Sequence, residues 1–308
     1  MTHPADRLLE KRFGIFNHFL YGDPGEGGET DLVDYDWDAR VAALDVDYIA
    51  RQLHQMEAGY YCITLLQGKK YTIAPNATFD RIAGTRPGEA CARRDLVADL
   101  YEALRPYDID LLLYYTGDGP YQDPVLGPRF GFVPPRKNVS DAFVAKWAAV
   151  LEEYALRYGD RVKGWWVDGC FDHFGYTDRN LQPYYDAIKR GNPAAVTAFN
   201  NGVAPDGVKK WFHAEEITAG EFNEFSYIPR ERFVEGAQVH ILAPLGLAPD
   251  GKPWNRWCRA GCSYTHEQMR DYIRAVNAVG GTVTVDIRID REGRYDPAQV
   301  ACMTMTDL

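Results

Sequence analysis

The chain lacks any apolar run of about eighteen residues, so nothing in it reads as a membrane-spanning helix. It has no basic cluster longer than scattered pairs such as Arg93-Arg94 and Lys209-Lys210, and its net charge is −10. A phosphate backbone needs clustered Lys and Arg, so nucleic acid is not an expected partner. The six cysteines, at 62, 91, 170, 258, 262 and 302, form no Cys-x-x-Cys pair. Cys258-x-x-x-Cys262 with His266 comes closest to metal-ligand spacing, and reduced thiols are the simpler reading, so no metal or organic cofactor is expected. There is no Gly-x-Ser-x-Gly elbow, P-loop or His-Glu-x-x-His helix, which argues against serine hydrolase, nucleotidase and zinc peptidase chemistry. The first residues, Met1 to Arg12, are charged and lack a signal-peptide apolar core, so the expected location is cytoplasmic.

What is present is a regular alternation along 308 residues. Short apolar runs at 13–20, 60–66, 110–116, 164–167, 196–200, 215–219, 238–243 and 282–289 read as strands. Amphipathic segments at 47–57, 95–104, 140–158, 181–190 and 265–279 read as helices. Ser140 is placed as a helix N-cap, and Thr265 with Gln268 has capping-box spacing. Strands separated by helices pair in parallel, and eight such units predict one (β/α)8 TIM barrel over residues 1–308. The open dinucleotide-binding sheet has no support, because no Gly-x-Gly-x-x-Gly follows the first strand. The stretch 117–137, with five prolines and four glycines, reads as a long loop on the catalytic face.

Two carboxylates carry the chemistry. Asp168 ends the apolar run Gly164-Trp165-Trp166-Val167 and precedes Gly169; Glu221 closes Glu215-Glu216-Ile217-Thr218-Ala219-Gly220. An acid at the carboxyl end of a barrel strand is where α/β barrels present catalytic groups. A pair of them fits glycoside hydrolysis, with one acid attacking and the other moving a proton. Glu215, Glu216 and Glu224 crowd the second acid, and most of this cluster is expected to face solvent. His18, Tyr114, Asn201 and His240 offer neutral hydrogen-bonding groups, Glu224 a further acid, and Trp166 and Trp254 faces for sugar stacking. Trp165 and Trp166 are strand neighbours and point oppositely, so at least one belongs to the core.

Arg12-Phe13-Gly14-Ile15-Phe16-Asn17-His18-Phe19-Leu20-Tyr21 resembles the opening strand motif of the α-L-fucosidases of glycoside hydrolase family 29, Lys-Phe-Gly-Ile-Phe-x-His-Trp-Gly-x-Tyr. Trp165-Trp166-Val167-Asp168-Gly169 is similar to their nucleophile strand. Phe199-Asn200-Asn201-Gly202 resembles the segment after their fifth strand, and Glu216 to Phe222 their acid/base segment. The resemblance implies a retaining exo-glycosidase with Asp168 as nucleophile, Glu221 as acid/base and His18 as a sugar ligand. Where the family carries paired histidines for the fucose hydroxyls, this chain reads Thr64-Leu65-Leu66-Gln67-Gly68, and the family's β-sandwich domain after the barrel is not seen. An altered sugar preference is therefore expected, with fucose as the default. The rival readings are an exo-glycosidase for another sugar and a carbohydrate-binding barrel without turnover. The partner implied is a small carbohydrate; oligomeric state is left open.

Overall fold

The computed structural model describes residues 3–22, 36–132, 138–204, 206–248 and 256–308. Seven parallel strands form one curled sheet: β1 (Phe13–Asn17), β2 (Tyr60–Leu66), β3 (Asp110–Thr116), β4 (Val162–Asp168), β5 (Val196–Phe199), β8 (His240–Pro244) and β9 (Thr282–Asp286). A two-stranded antiparallel hairpin, β6 (Phe233–Val234) and β7 (Ala237–Gln238), lies outside it. The order is β5-β4-β3-β2-β1-β9-β8, so first and last strands in the chain are neighbours and the edges of the sheet are β5 and β8.

The segment 215–222, expected as the sixth strand, joins those edges without forming a regular ladder. Glu216 and Ile217 amides donate to the Thr197 carbonyl of β5, while Leu242 of β8 donates to Gly220 and accepts from Phe222. On the β5 side the ladder is completed by side chains: the Thr197 amide donates to Glu216 Oε2 at 2.9 Å and the Phe199 amide to Glu215 Oε2 at 2.9 Å. Both acids are buried, Glu216 also pairing with Lys189 at 2.6 Å, which corrects the expectation that they face solvent. A carboxylate replaces a carbonyl as acceptor, and this is why the segment does not register as a strand despite its composition. The result is a (β/α)8-like barrel whose sheet has seven regular strands among the described residues, where eight were expected.

Alternate residues fill two cores. Phe16, Tyr60, Cys62, Leu112, Tyr114, Trp166, Ala198, Ile217 and Leu242 pack inside the curl, with Leu8 of the short helix Asp6–Glu10 and its N-cap residue Ala5 against the lower end. Trp165 and Val167 point outward under the helices, so of the two adjacent tryptophans only Trp166 faces the interior. The expected helices form at 46–55, 96–104, 141–158, 178–191 and 266–278. Ser140 accepts the Phe143 amide, and Thr265 and Gln268 make a reciprocal capping box. The helix at 178–191 starts earlier than its apolar pattern, because Thr177 and Asn180 form a second capping box there. Short helices at 37–43, 77–83 and 126–130 were not anticipated, the last inside the stretch read as a loop. Among the described residues no helix is long and apolar enough to cross a membrane.

Candidate active site

Asp168 is the last residue of β4, and Thr116, which ends β3, is its register partner. Gly169 follows at φ +69°, and a Cβ there would lie 2.7 Å from Asp118 Oδ1. Only glycine lets the chain turn away at this point. Glu221 is preceded by a second such residue: Gly220 is at φ +57°, and a Cβ on it would sit 1.8 Å from the His240 carbonyl oxygen. Each acid is thus delivered by a turn that tolerates no side chain beside it.

One side chain joins them. Asn200, just past β5 and 1% exposed, donates from Nδ2 to Asp168 Oδ1 at 2.7 Å and to Glu221 Oε2 at 2.6 Å. The two carboxylate oxygens are therefore separated by no more than the sum of those distances, about 5.3 Å. The Tyr114 hydroxyl donates to the other Asp168 oxygen at 2.5 Å. Tyr114 in turn stacks on Trp166 (5.5 Å, 19°) and on Phe16 (5.6 Å, 27°), a row of rings that fixes its hydroxyl. Burial, then the neighbouring charge of Asp168, pushes the Glu221 carboxyl up to about 7, while the Asn200 amide and His18 pull it down.

Both acids open into a cavity of about 260 Å³ lined by Phe16, His18, Leu20, Gln67, Tyr114, Tyr121, Gln122, Trp166, Leu242, Trp257 and Cys258. His18 holds Asp286 Oδ1 through Nδ1 at 2.8 Å, and its ring meets Trp257 edge-on at 5.6 Å. Burial works against charge on His18, but Cys258 and Asp286 outweigh it and raise its pKa well above the ordinary value. The expected sugar ligands His18, Tyr114 and Trp166 thus stand together with the two acids.

Three other expected contacts lie elsewhere. Asn201 accepts the Asp172 amide at 2.8 Å and holds the loop after β4; its neighbour Asn200 occupies the place between the acids. Glu224 is exposed, accepts a bond from Ser226 and does not line the cavity. His240, at the start of β8, is buried deeper in the barrel, bonded to the Thr284 hydroxyl at 2.7 Å and to the Thr218 and Ala219 carbonyls. Burial pushes its pKa down to about 4, so it is neutral there and serves the core. Trp254 lies outside the described residues. Leu65 and Leu66 do not face the cavity either: both are fully buried in the outer core, and Gln67, one step on, presents an amide to the cavity beside Gln122 and Tyr121. Sequence reasoning missed Gln67 and Gln122; of the Asn200-Asn201 pair after the fifth strand it singled out Asn201, whereas Asn200 is the one that lies between the acids. For Asn200 the signal was available in its position immediately after an apolar strand.

No protein-family model matches this sequence, and none of the curated proteins matches it. The fold does have solved counterparts. The endo-fucoidan hydrolase MfFcnA4 of glycoside hydrolase family 107 superposes with TM-score 0.72 at 16% identity over 99% of this chain and 54% of its own. A second family 107 enzyme, the endo-fucoidan hydrolase P5AFcnA, gives 0.70 at 15% identity, over 99% of this chain and 92% of its own. The family 29 α-L-fucosidase of Bacteroides thetaiotaomicron gives 0.68 at 17% identity, over 99% and 72%. The chain spans about half the length of MfFcnA4. At these identities the likeness establishes a shared fold.

Proposed function

We propose that this chain is a retaining glycoside hydrolase that releases a terminal sugar of the fucose type, with Asp168 as nucleophile and Glu221 as acid/base. The observation that carries this reading is the Asn200 amide shared by two acids at one cavity wall. It limits the separation of their nearer oxygens to about 5.3 Å. Retaining enzymes hold their carboxyls about 5–5.5 Å apart, whereas inverting ones leave about 6.5–9.5 Å for a water.

In the first half-reaction an Asp168 oxygen bonds to the anomeric carbon. The glycosidic C–O bond breaks, and its electron pair leaves with the oxygen, which takes the Glu221 proton. Water then attacks the anomeric carbon, gives its proton to Glu221 and frees Asp168. The electrostatics suit both halves. The Asp168 charge helps keep Glu221 protonated before attack. Once Asp168 is an ester that charge is gone, so the Glu221 pKa falls, and Glu221, having given up its proton, stays ionised as the base that takes a proton from water. Asp168, held on both oxygens by Tyr114 and Asn200, is oriented without reorganisation.

The cavity favours one ring. At about 260 Å³ it lies just below the usual span of ligand pockets, roughly 300–1,000 Å³. Phe16, Leu20, Trp166 and Leu242 give it an apolar wall suited to a deoxy-sugar methyl, while Gln67 and Gln122 supply amides for hydroxyls. The neighbours include endo-fucoidan hydrolases and α-L-fucosidases, and the small cavity inclines the reading to release of a terminal sugar.

The test is a panel of nitrophenyl glycosides of fucose, galactose and arabinose, followed by Asp168→Ala and Glu221→Ala on whichever is cleaved. Each variant should lose at least about 10³ in kcat, with azide restoring turnover and giving a glycosyl azide. Near wild-type rates in both variants would refute the assignment, and sugar binding with no cleavage by the wild type would make the barrel a lectin-like binder.

A further inference from the structure

The cavity wall holds a second group of chemistry-bearing side chains to which the two-acid scheme gives no bond-making or proton-moving step. His18 at the end of β1, Asp286 at the end of β9 and Cys258 in the loop after β8 bring an imidazole nitrogen, a carboxylate oxygen and a thiol sulfur within 4.8 Å of one another. They are the only such group of three found among the described residues. The carboxylate organises the other two: Asp286 Oδ1 contacts His18 Nδ1 at 2.8 Å, and Oδ2 accepts the Cys258 amide at 2.9 Å. Cys258 sits at φ +63°, a left-handed conformation that costs a residue with a Cβ about 1 kcal/mol or more, and the bond to Asp286 holds it there. The cysteine is not in a disulfide.

We propose that His18, Cys258 and Asp286 form a binding site for a borderline-soft divalent cation, Zn²⁺ by donor type, whose open coordination position faces the sugar cavity. Imidazole, thiolate and carboxylate are the three donor types zinc accepts, at about 2.0–2.3 Å. On one tetrahedral ion such donors stand about 3.3–3.8 Å apart, so a shift of about 1 Å from the present spacing gathers them. The charges close: a thiolate and a carboxylate neutralise the ion, and the imidazole adds none. His18 and Cys258 line the cavity and Asp286, 1% exposed, lies behind them, so three ligands come from the protein and the fourth position is left to water or a sugar hydroxyl. Three protein ligands with an open fourth position are the arrangement of reactive zinc sites, as against closed structural ones. The Cys258, Cys262 and His266 spacing noted in the sequence does not make a site: Cys262 lies against Cys302, and His266 Nδ1 contacts the Cys302 carbonyl at 3.0 Å.

The site is independent of the hydrolase reading, because its test reads the metal. Co²⁺ titrated into the full chain should saturate at one equivalent and give a near-ultraviolet thiolate-to-cobalt charge-transfer band that Zn²⁺ abolishes. Cys258→Ser should remove the band and Cys262→Ser should keep it. On the unaltered protein, one equivalent of Zn²⁺ should slow iodoacetamide labelling of Cys258, followed by peptide mass, at least 10-fold. No saturable band, a band that survives in a folded Cys258→Ser protein, or labelling unaffected by Zn²⁺ would each overturn the proposal. If Cys258→Ser does not fold, the labelling result decides it.

Discussion

Asn200 carries more of the site than any residue except the two acids it joins. Asn200→Ala leaves both carboxylates facing each other without their common donor. The expected loss is about 10²–10³ in kcat, comparable to removing one preorganised donor from an active site. The same change has a pH signature. The Asn200 bond lowers the Glu221 pKa, so without it the alkaline limb of kcat/KM should move to higher pH; an unmoved limb would mean Glu221 is not the titrating acid. Asp168→Asn removes a charge that raises the Glu221 pKa, so Glu221 should titrate lower, measurable by carboxyl carbon NMR. Stability follows with its own sign. The folded pKa of Glu221, about 7, lies above an unfolded value of about 4.3, so the native state binds the extra proton. Stability from this group is full below the unfolded value and is lost as pH rises toward 7. Glu221→Gln should therefore stabilise the protein at pH 8, by roughly 2–4 kcal/mol, and hardly at all at pH 4, as read from urea unfolding at the two pH values.

The element that matters most is the one that failed to become a strand. Segment 215–222 is held on β5 by two buried carboxylates and on β8 by ordinary ladder bonds. Glu215→Ala leaves the amides of Phe199 and Trp211 without acceptors, at about 1–3 kcal/mol each. Because Glu221 lies on the same segment, activity should fall with stability; intact activity in the destabilised variant would show that the segment is held from the β8 side alone. Gly220→Ala is the sharper test, since the added methyl strikes the His240 carbonyl. It should reduce kcat more than 100-fold while far-ultraviolet circular dichroism stays native. The strands 60–66 and 110–116 matched their sequence pattern, being buried on both faces and unbroken by Gly or Pro. The segment 215–219 has the same apolar centre, but two adjacent glutamates turned their side chains into the ladder, and a periodicity argument has no way to see that.

For the whole molecule, the two ends of the barrel divide the work. The strand C-termini carry Asp168, Asn200 and His18, whereas Ala5 and Leu8 pack against the interior from the other end, where Arg7 also pairs with Asp110 at 2.5 Å. Leu8→Ala should cost about 2–5 kcal/mol in urea unfolding and leave kcat at 25 °C unchanged, because it empties a space at the end away from the cavity. A drop in kcat without unfolding would contradict that division. No Cys-x-x-Cys or His-x-x-x-His pattern announces the cluster of His18, Cys258 and Asp286, whose members come from three distant parts of the chain.

The alternation of apolar runs and amphipathic helices was enough to predict a parallel α/β barrel, and an acid beside a glycine at the end of each of two apolar segments was enough to nominate Asp168 and Glu221 as a pair. Those features are local: a strand reads as a strand from its own side chains, and a charge at its end is costly wherever the strand lies. Which asparagine of the Asn200-Asn201 pair bridges the acids was decided only by the closed arrangement of strands. The same holds for the outward turn of Leu65 and Leu66, for Gln67 in their stead, and for His240 falling into the core. Each depends on the sense in which a side chain points where a ladder bulges or ends, and a single residue of register exchanges inside for outside.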